Sequence, residues 1–166
     1  MTPLDRALRL LGRKARTALE LDQALARAKV EPVERAEVLA RVRELGYMDD
    51  LEVARGRART LLARGEAPRL AARKLEAQGV AAADAQGAID EAREGASEAE
   101  LAARALQKRL RGRKPRDERE RQRVFRALVA RGHRPALVAQ ALELDQQGQE
   151  GEDGSAQSES DEVDEA

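Results

Sequence analysis

The chain has 166 residues, no cysteine, no tryptophan, and one each of tyrosine, phenylalanine, histidine and isoleucine. Without thiols there are no disulfides, thiolate metal sites or cysteine nucleophiles. A lone histidine, His133, cannot build a histidine metal cluster. Strands draw on β-branched and aromatic residues, so an apolar inventory built mostly of Ala and Leu argues against an extensive sheet. No apolar run approaches the roughly 18 residues of a membrane span, and the N-terminus lacks the apolar core of a signal peptide. The expected location is therefore cytoplasmic, without membrane contact. None of the five lysines precedes Ser or Thr, which removes the Walker phosphate loop. No cofactor, metal or catalytic residue is expected.

What remains is rich in Ala, Leu, Arg, Glu and Gln, the strongest helix formers. One phrase recurs three times. Leu25, Lys29 and Val30 align with Leu75, Gly79 and Val80, and Leu128, Gly132 and His133 hold the same places again. The leucines are 50 and then 53 residues apart, and apolar Leu39, Ile89 and Leu142 follow at matching distances. A period of this size predicts stacked copies of a small unit that buries little alone. Such an array offers a long surface for a macromolecule rather than a catalytic pocket.

Helix starts are legible. Thr2-Pro3-Leu4-Asp5 gives a cap, a first-turn proline and an acid, and Thr17-Ala18-Leu19-Glu20 and Ser97-Glu98-Ala99-Glu100 fit the capping box. With Pro68 and Pro135 as starts and Gly12, Gly46, Gly65, Gly79 and Gly132 as stops, nine helices are predicted. They cover 3–12, 17–28 and 33–45; 50–64, 67–78 and 83–94; 98–111, 117–131 and 135–144. The predicted fold is all-α: three-helix repeats at 1–48, 49–96 and 97–144 in an elongated array. Residues 145–166, with little to bury, are expected to form a disordered acidic tail. Leu4, Ala7, Leu8 and Leu11 mark the buried face of the first helix, and Val38, Val42 and Leu45 that of the third. Tyr47 is expected to wedge between the first two repeats.

A formal charge of zero conceals segregation. Residues 1–103 carry 18 basic and 18 acidic side chains, residues 104–134 carry 13 and 3, and the stretch from Glu143 onward has 10 acids and no base. The basic module is the candidate site: Lys108, Arg109, Arg111, Arg113, Lys114 and Arg116 in one run, then Arg119, Arg123 and Arg126. At 100° per residue the last three share a helix face, opposite Val124 and Leu128, with Phe125 near the apolar side. Unrelieved repulsion of this kind favours an anionic partner. Guanidinium forks suit phosphate and protein carboxylates alike, and few aromatics leave little scope for base stacking. The tail carries nearly the opposite charge, so it is either a competitor for the basic surface or a solubilising appendage. Asp49-Asp50 is read as a helix cap rather than a metal site. His133, beside a helix-ending glycine, is read as packed or solvent-facing rather than part of a triad.

Gly46-Tyr47-Met48-Asp49-Asp50 followed by Ala54, Lys74-Leu75 with Gln78-Gly79-Val80, and Leu128 with Arg131-Gly132 resemble the RecX family, bacterial regulators of the RecA recombinase. The Thr17–Leu25 stretch fits its first repeat, and the likeness runs from Leu4 to Leu144. The resemblance implies tandem three-helix repeats in a curved, elongated molecule that lodges in the groove of the RecA filament on single-stranded DNA. With no enzymatic motif in the residues, a non-enzymatic protein is expected, and a monomer is the expected state. It implies inhibition of recombinase activity in DNA repair and the SOS response, with DNA contacted through the filament or directly. Departures are Val53 and His133 where relatives carry Phe, Lys29 in place of Gly, and the acidic tail. A protein acting alone on DNA through a helix-turn-helix-like unit is the alternative.

Overall fold

The computed structural model describes residues 1–150, with side chains through 145. Among the described residues there are nine α-helices and no strand. They are α1 (Pro3–Arg13), α2 (Ala18–Arg27), α3 (Pro32–Glu44), α4 (Asp50–Ala63), α5 (Pro68–Ala77), α6 (Ala82–Arg93), α7 (Glu98–Leu110), α8 (Glu118–Ala130) and α9 (Pro135–Glu150). The last helix runs past its predicted end at 144 to Glu150; the rest of the predicted tail lies outside the described residues.

The starts follow from side-chain chemistry. Thr2 and Thr17 each accept from the backbone N–H three residues on, while Asp5 and Glu20 reach back to the cap N–H. Asp49 caps α4 by accepting from the N–H groups of Leu51 and Glu52. Each closes donors that a helix cannot satisfy itself.

The thrice-repeated phrase is a helix stop. Val30 N–H donates to the Leu25 carbonyl at 3.1 Å and Lys29 N–H to that of Ala26 at 2.9 Å. Val80 and Gly79 repeat this on Leu75 and Glu76, as do His133 and Gly132 on Leu128 and Val129. This is the Schellman arrangement, which needs a left-handed residue in second-to-last place and favours apolar contact between its ends. Gly79 and Gly132 both have φ +92°, and Lys29 adopts φ +61° without being glycine. His133 occupies the position filled by valine in the other copies and is buried accordingly.

The contacts divide the chain into two units, Met1–Ser97 and one beginning at Glu98. The first contains two apolar clusters. Ala7, Leu21, Leu25, Val38, Val42 and Met48 join α1–α3, and Ala54, Ala58, Ala71, Leu75, Ala85 and Ile89 are among those joining α4–α6. The polar contacts between these two groups are specific: the Thr17 hydroxyl donates to the Gln78 carbonyl, and Asp50 accepts from Ala18 N–H at 2.9 Å. Arg57 reaches both Glu20 and the side chain of Gln78. In the second unit Leu106, Leu110, Val124, Leu128, Val138 and Leu142 form the core between α7, α8 and α9.

Two expectations fail in the first unit. Tyr47 is 61 % exposed rather than wedged between repeats: it follows left-handed Gly46, and its neighbour Met48 is the residue that enters the α1–α3 core. Leu45 is 40 % exposed; Val38 and Val42 supply the buried face of α3, and the cap residue Leu45 ends beyond it.

Candidate functional site

The second unit carries the basic residues on the last turn of α7, the α7–α8 connection and α8. The run cannot continue α7: Arg111 and Gly112 take φ +54° and +72°, so the chain leaves the helix there. Asp117 then starts α8 by accepting from Glu120 N–H at 2.7 Å.

Glu120 organises this connection. Its carboxylate is buried and accepts from Arg113 through both terminal guanidinium nitrogens, at 2.6 and 3.1 Å. It also accepts from Arg116 N–H at 2.7 Å and more weakly from Arg116 Nε at 3.4 Å. The Arg113 fork, then the Arg116 N–H, holds the Glu120 carboxyl far below the usual carboxylate range, against the opposing effect of burial. Arg113 is pushed up in turn by the same bond. Two of the nine candidate cations are thus tied to an internal carboxylate that shapes the connection.

Lys108 and Lys114 also interact within the protein. The remaining five, Arg109, Arg111, Arg119, Arg123 and Arg126, are exposed and form no ion pair among the described residues. Arg119, Arg123 and Arg126 fall on one side of α8, while Val124 and Leu128 on the other are buried in the core. Phe125 is only partly buried, packed against the edge of that core.

Beside the arginine face lies a groove of about 290 Å³ between α8 and α9. Arg121, Gln122, Phe125 and Arg126 line it from α8, and Ala139 and Leu142 from α9. Its floor is apolar and its rim carries cations, with Glu118 as the one acid lining it. Arg121 Nη1 is buried and has no acceptor among the described residues.

Neither the Glu120 clamp nor the groove is evident from the amino-acid sequence. The Asp117-to-Glu120 spacing is a signal for the first, being that of a capping box. Here the glutamate passes over its own cap N–H and takes that of Arg116. The groove has no such local signal, since it depends on how α9 lies against α8.

Asp49 and Asp50 are both used as hydrogen-bond acceptors for helix starts, Asp49 for α4 and Asp50 for α2. Among the described residues no group of three or more metal-ligating side chains comes together. No helix among them is long and apolar enough to cross a membrane.

The chain matches no protein-family model. It is 39 % identical over 130 residues to the regulatory protein RecX of Halorhodospira halophila, covering 77 % of this chain and 78 % of that one. It is 36 % identical over 138 residues to the regulatory protein RecX of Syntrophotalea carbinolica, covering 81 % and 90 %. The fold resembles the crystal structure of RecX from Lactobacillus salivarius, with a TM-score of 0.61 at 18 % identity over 86 % of this chain and 95 % of that one. A second crystal structure, of a regulatory protein RecX, gives 0.62 at 22 % identity over 85 % and 70 %. With more than a third of its residues shared over most of its length with such relatives, this chain belongs to the RecX family of regulatory proteins.

Proposed function

We propose that the protein is a non-enzymatic, cytoplasmic regulator that binds the RecA nucleoprotein filament on single-stranded DNA as a monomer and lowers recombinase activity. The observation that carries this reading is kinship with proteins named for regulation, at 36–39 % identity over most of the chain. The exposed guanidinium groups of Arg109, Arg111, Arg119, Arg123 and Arg126 supply a chemistry that fits it. Forming no ion pair among the described residues, they can meet phosphate, or the carboxylates of a protein coat, through their guanidinium forks. With little aromatic surface, affinity for nucleic acid would be mostly electrostatic and blind to sequence.

Co-sedimentation separates this reading from that of a DNA-binding protein acting alone. The protein should pellet with preformed RecA filaments at concentrations where it stays in the supernatant with bare single-stranded or duplex DNA. Equal retention on bare DNA would favour the stand-alone role. Retention on neither would leave the basic face without a nucleoprotein partner.

A further inference from the structure

The α8–α9 groove combines three features: an apolar floor of Phe125, Ala139 and Leu142, arginines at its rim, and a buried guanidinium nitrogen of Arg121 with no acceptor among the described residues. A buried, unsatisfied donor carries a desolvation cost that a carboxylate would relieve. The groove therefore suits an acidic peptide with at least one apolar side chain.

The chain itself supplies such a peptide. Residues 151–166 contain seven acids, no base and one large apolar residue, in the order Glu162-Val163-Asp164-Glu165. We propose that this C-terminal segment docks back onto the α8–α9 groove. Carboxylates on either side of Val163 pair with Arg121 and Arg126, and Val163 lies on the Phe125–Leu142 floor. Reach is ample. α9 itself lines the groove at Leu142 and ends at Glu150, roughly 12 Å further along the axis at about 1.5 Å per residue. The 13 residues from Glu150 to Val163 can span up to about 45 Å when extended. Tethering at this distance corresponds to a local concentration on the order of a millimolar, so a weak contact suffices to populate the docked form.

Docking also brings negative charge beside Arg119 and Arg123, so the segment would compete with any polyanion for that face. This regulatory consequence rests on the proposed function; the contact itself does not. The chain has no thiol, so Ala166→Cys gives a single site for a nitroxide label on the full-length protein. In dilute low-salt buffer, amide signals of Gln122, Phe125, Arg126, Ala139 and Leu142 should broaden selectively. The broadening should persist on dilution into unlabelled protein and vanish near 1 M salt, where the screening length is about 3 Å. It should also vanish in an Arg121→Gln/Arg126→Gln variant whose other amide signals stay in place. Broadening spread evenly over both units would overturn the proposal. So would broadening seen only between labelled and isotope-labelled copies, or broadening that survives in the folded double variant. The measurement uses neither recombinase nor DNA, so its failure would leave the filament-binding reading standing.

Discussion

The hydroxyl of Thr17 donates to the backbone carbonyl of Gln78 at 2.5 Å, joining residues 61 positions apart. Thr17 is fully buried and also accepts from Glu20 N–H, so one side chain starts α2 and satisfies the carbonyl at the end of α5. Arg57 reinforces the junction, donating to Glu20 at 2.7 and 2.8 Å and to Ala15 O at 3.1 Å. That fork is the foremost reason the Glu20 carboxyl sits below its ordinary range. Through these bonds the first two helix triplets are held as one unit.

Replacing Thr17 with valine keeps the shape but removes the cap and leaves the Gln78 carbonyl unpaired. The loss should be about 2–4 kcal/mol. Thr17→Ser keeps both bonds and should recover most of it. Urea unfolding of the two variants checks this. Equal midpoints for Val and parent would mean that the buried hydroxyl has no stabilising role.

The equivalent helix stops at Lys29 and Gly79 should respond with opposite signs. A Cβ at Gly79 would meet Leu19 Cβ at 2.4 Å, on a backbone already at φ +92°. Gly79→Ala should cost about 2–3 kcal/mol, lowering the melting temperature by roughly 5 °C or more. Lys29 bears a side chain at φ +61° and is exposed, so Lys29→Gly relieves strain and should stabilise by about 0.5–1 kcal/mol. Melting curves that move the same way for both would contradict this reading of the repeated phrase.

Glu120 should make the second unit sensitive to acid. Its folded pKa is depressed, so the stabilisation is complete above the ordinary value of 4.5 and is lost as pH falls below it toward the depressed value. Glu120→Gln should therefore be less stable than the parent at pH 7, with the gap narrowing between about pH 4.5 and pH 3. Denaturant midpoints across that range decide the matter. A gap that stays constant would mean that the clamp is not ionic.

The helices were readable in the sequence because their punctuation is local. Capping boxes at Thr2 and Thr17, prolines at the first turn and Schellman stops at residues 29, 79 and 132 act within one turn of chain, and eight of the nine helices end within two residues of expectation. The exposed Tyr47, the Glu120 clamp and the Arg121 groove were not readable. Each depends on the direction in which the chain leaves one helix and meets the next. The site suffered most from this. Nine cations were visible as a run of charge, but that Arg113 and Arg116 face an internal carboxylate depends on the path of the α7–α8 connection.

The exposed and internally paired arginines should be separable. Changing Arg119, Arg123 and Arg126 together to alanine leaves the buried Val124–Leu128 face intact and should preserve helicity. Binding to single-stranded DNA or to filaments should weaken, and the slope of log affinity against log salt should fall by roughly 2, about 0.7 per lost phosphate contact. Arg113→Gln should instead lower stability with little change in slope. Identical slopes for parent and triple variant, both folded by circular dichroism, would make this face a solvated surface only.

Action of this RecX-family protein on the RecA filament, as proposed, is read from the rate of ATP hydrolysis by RecA on single-stranded DNA as the protein is added. Substoichiometric amounts should slow hydrolysis, and the protein alone should hydrolyse no ATP. Undiminished hydrolysis at a several-fold molar excess over RecA would rule out this action on the filament.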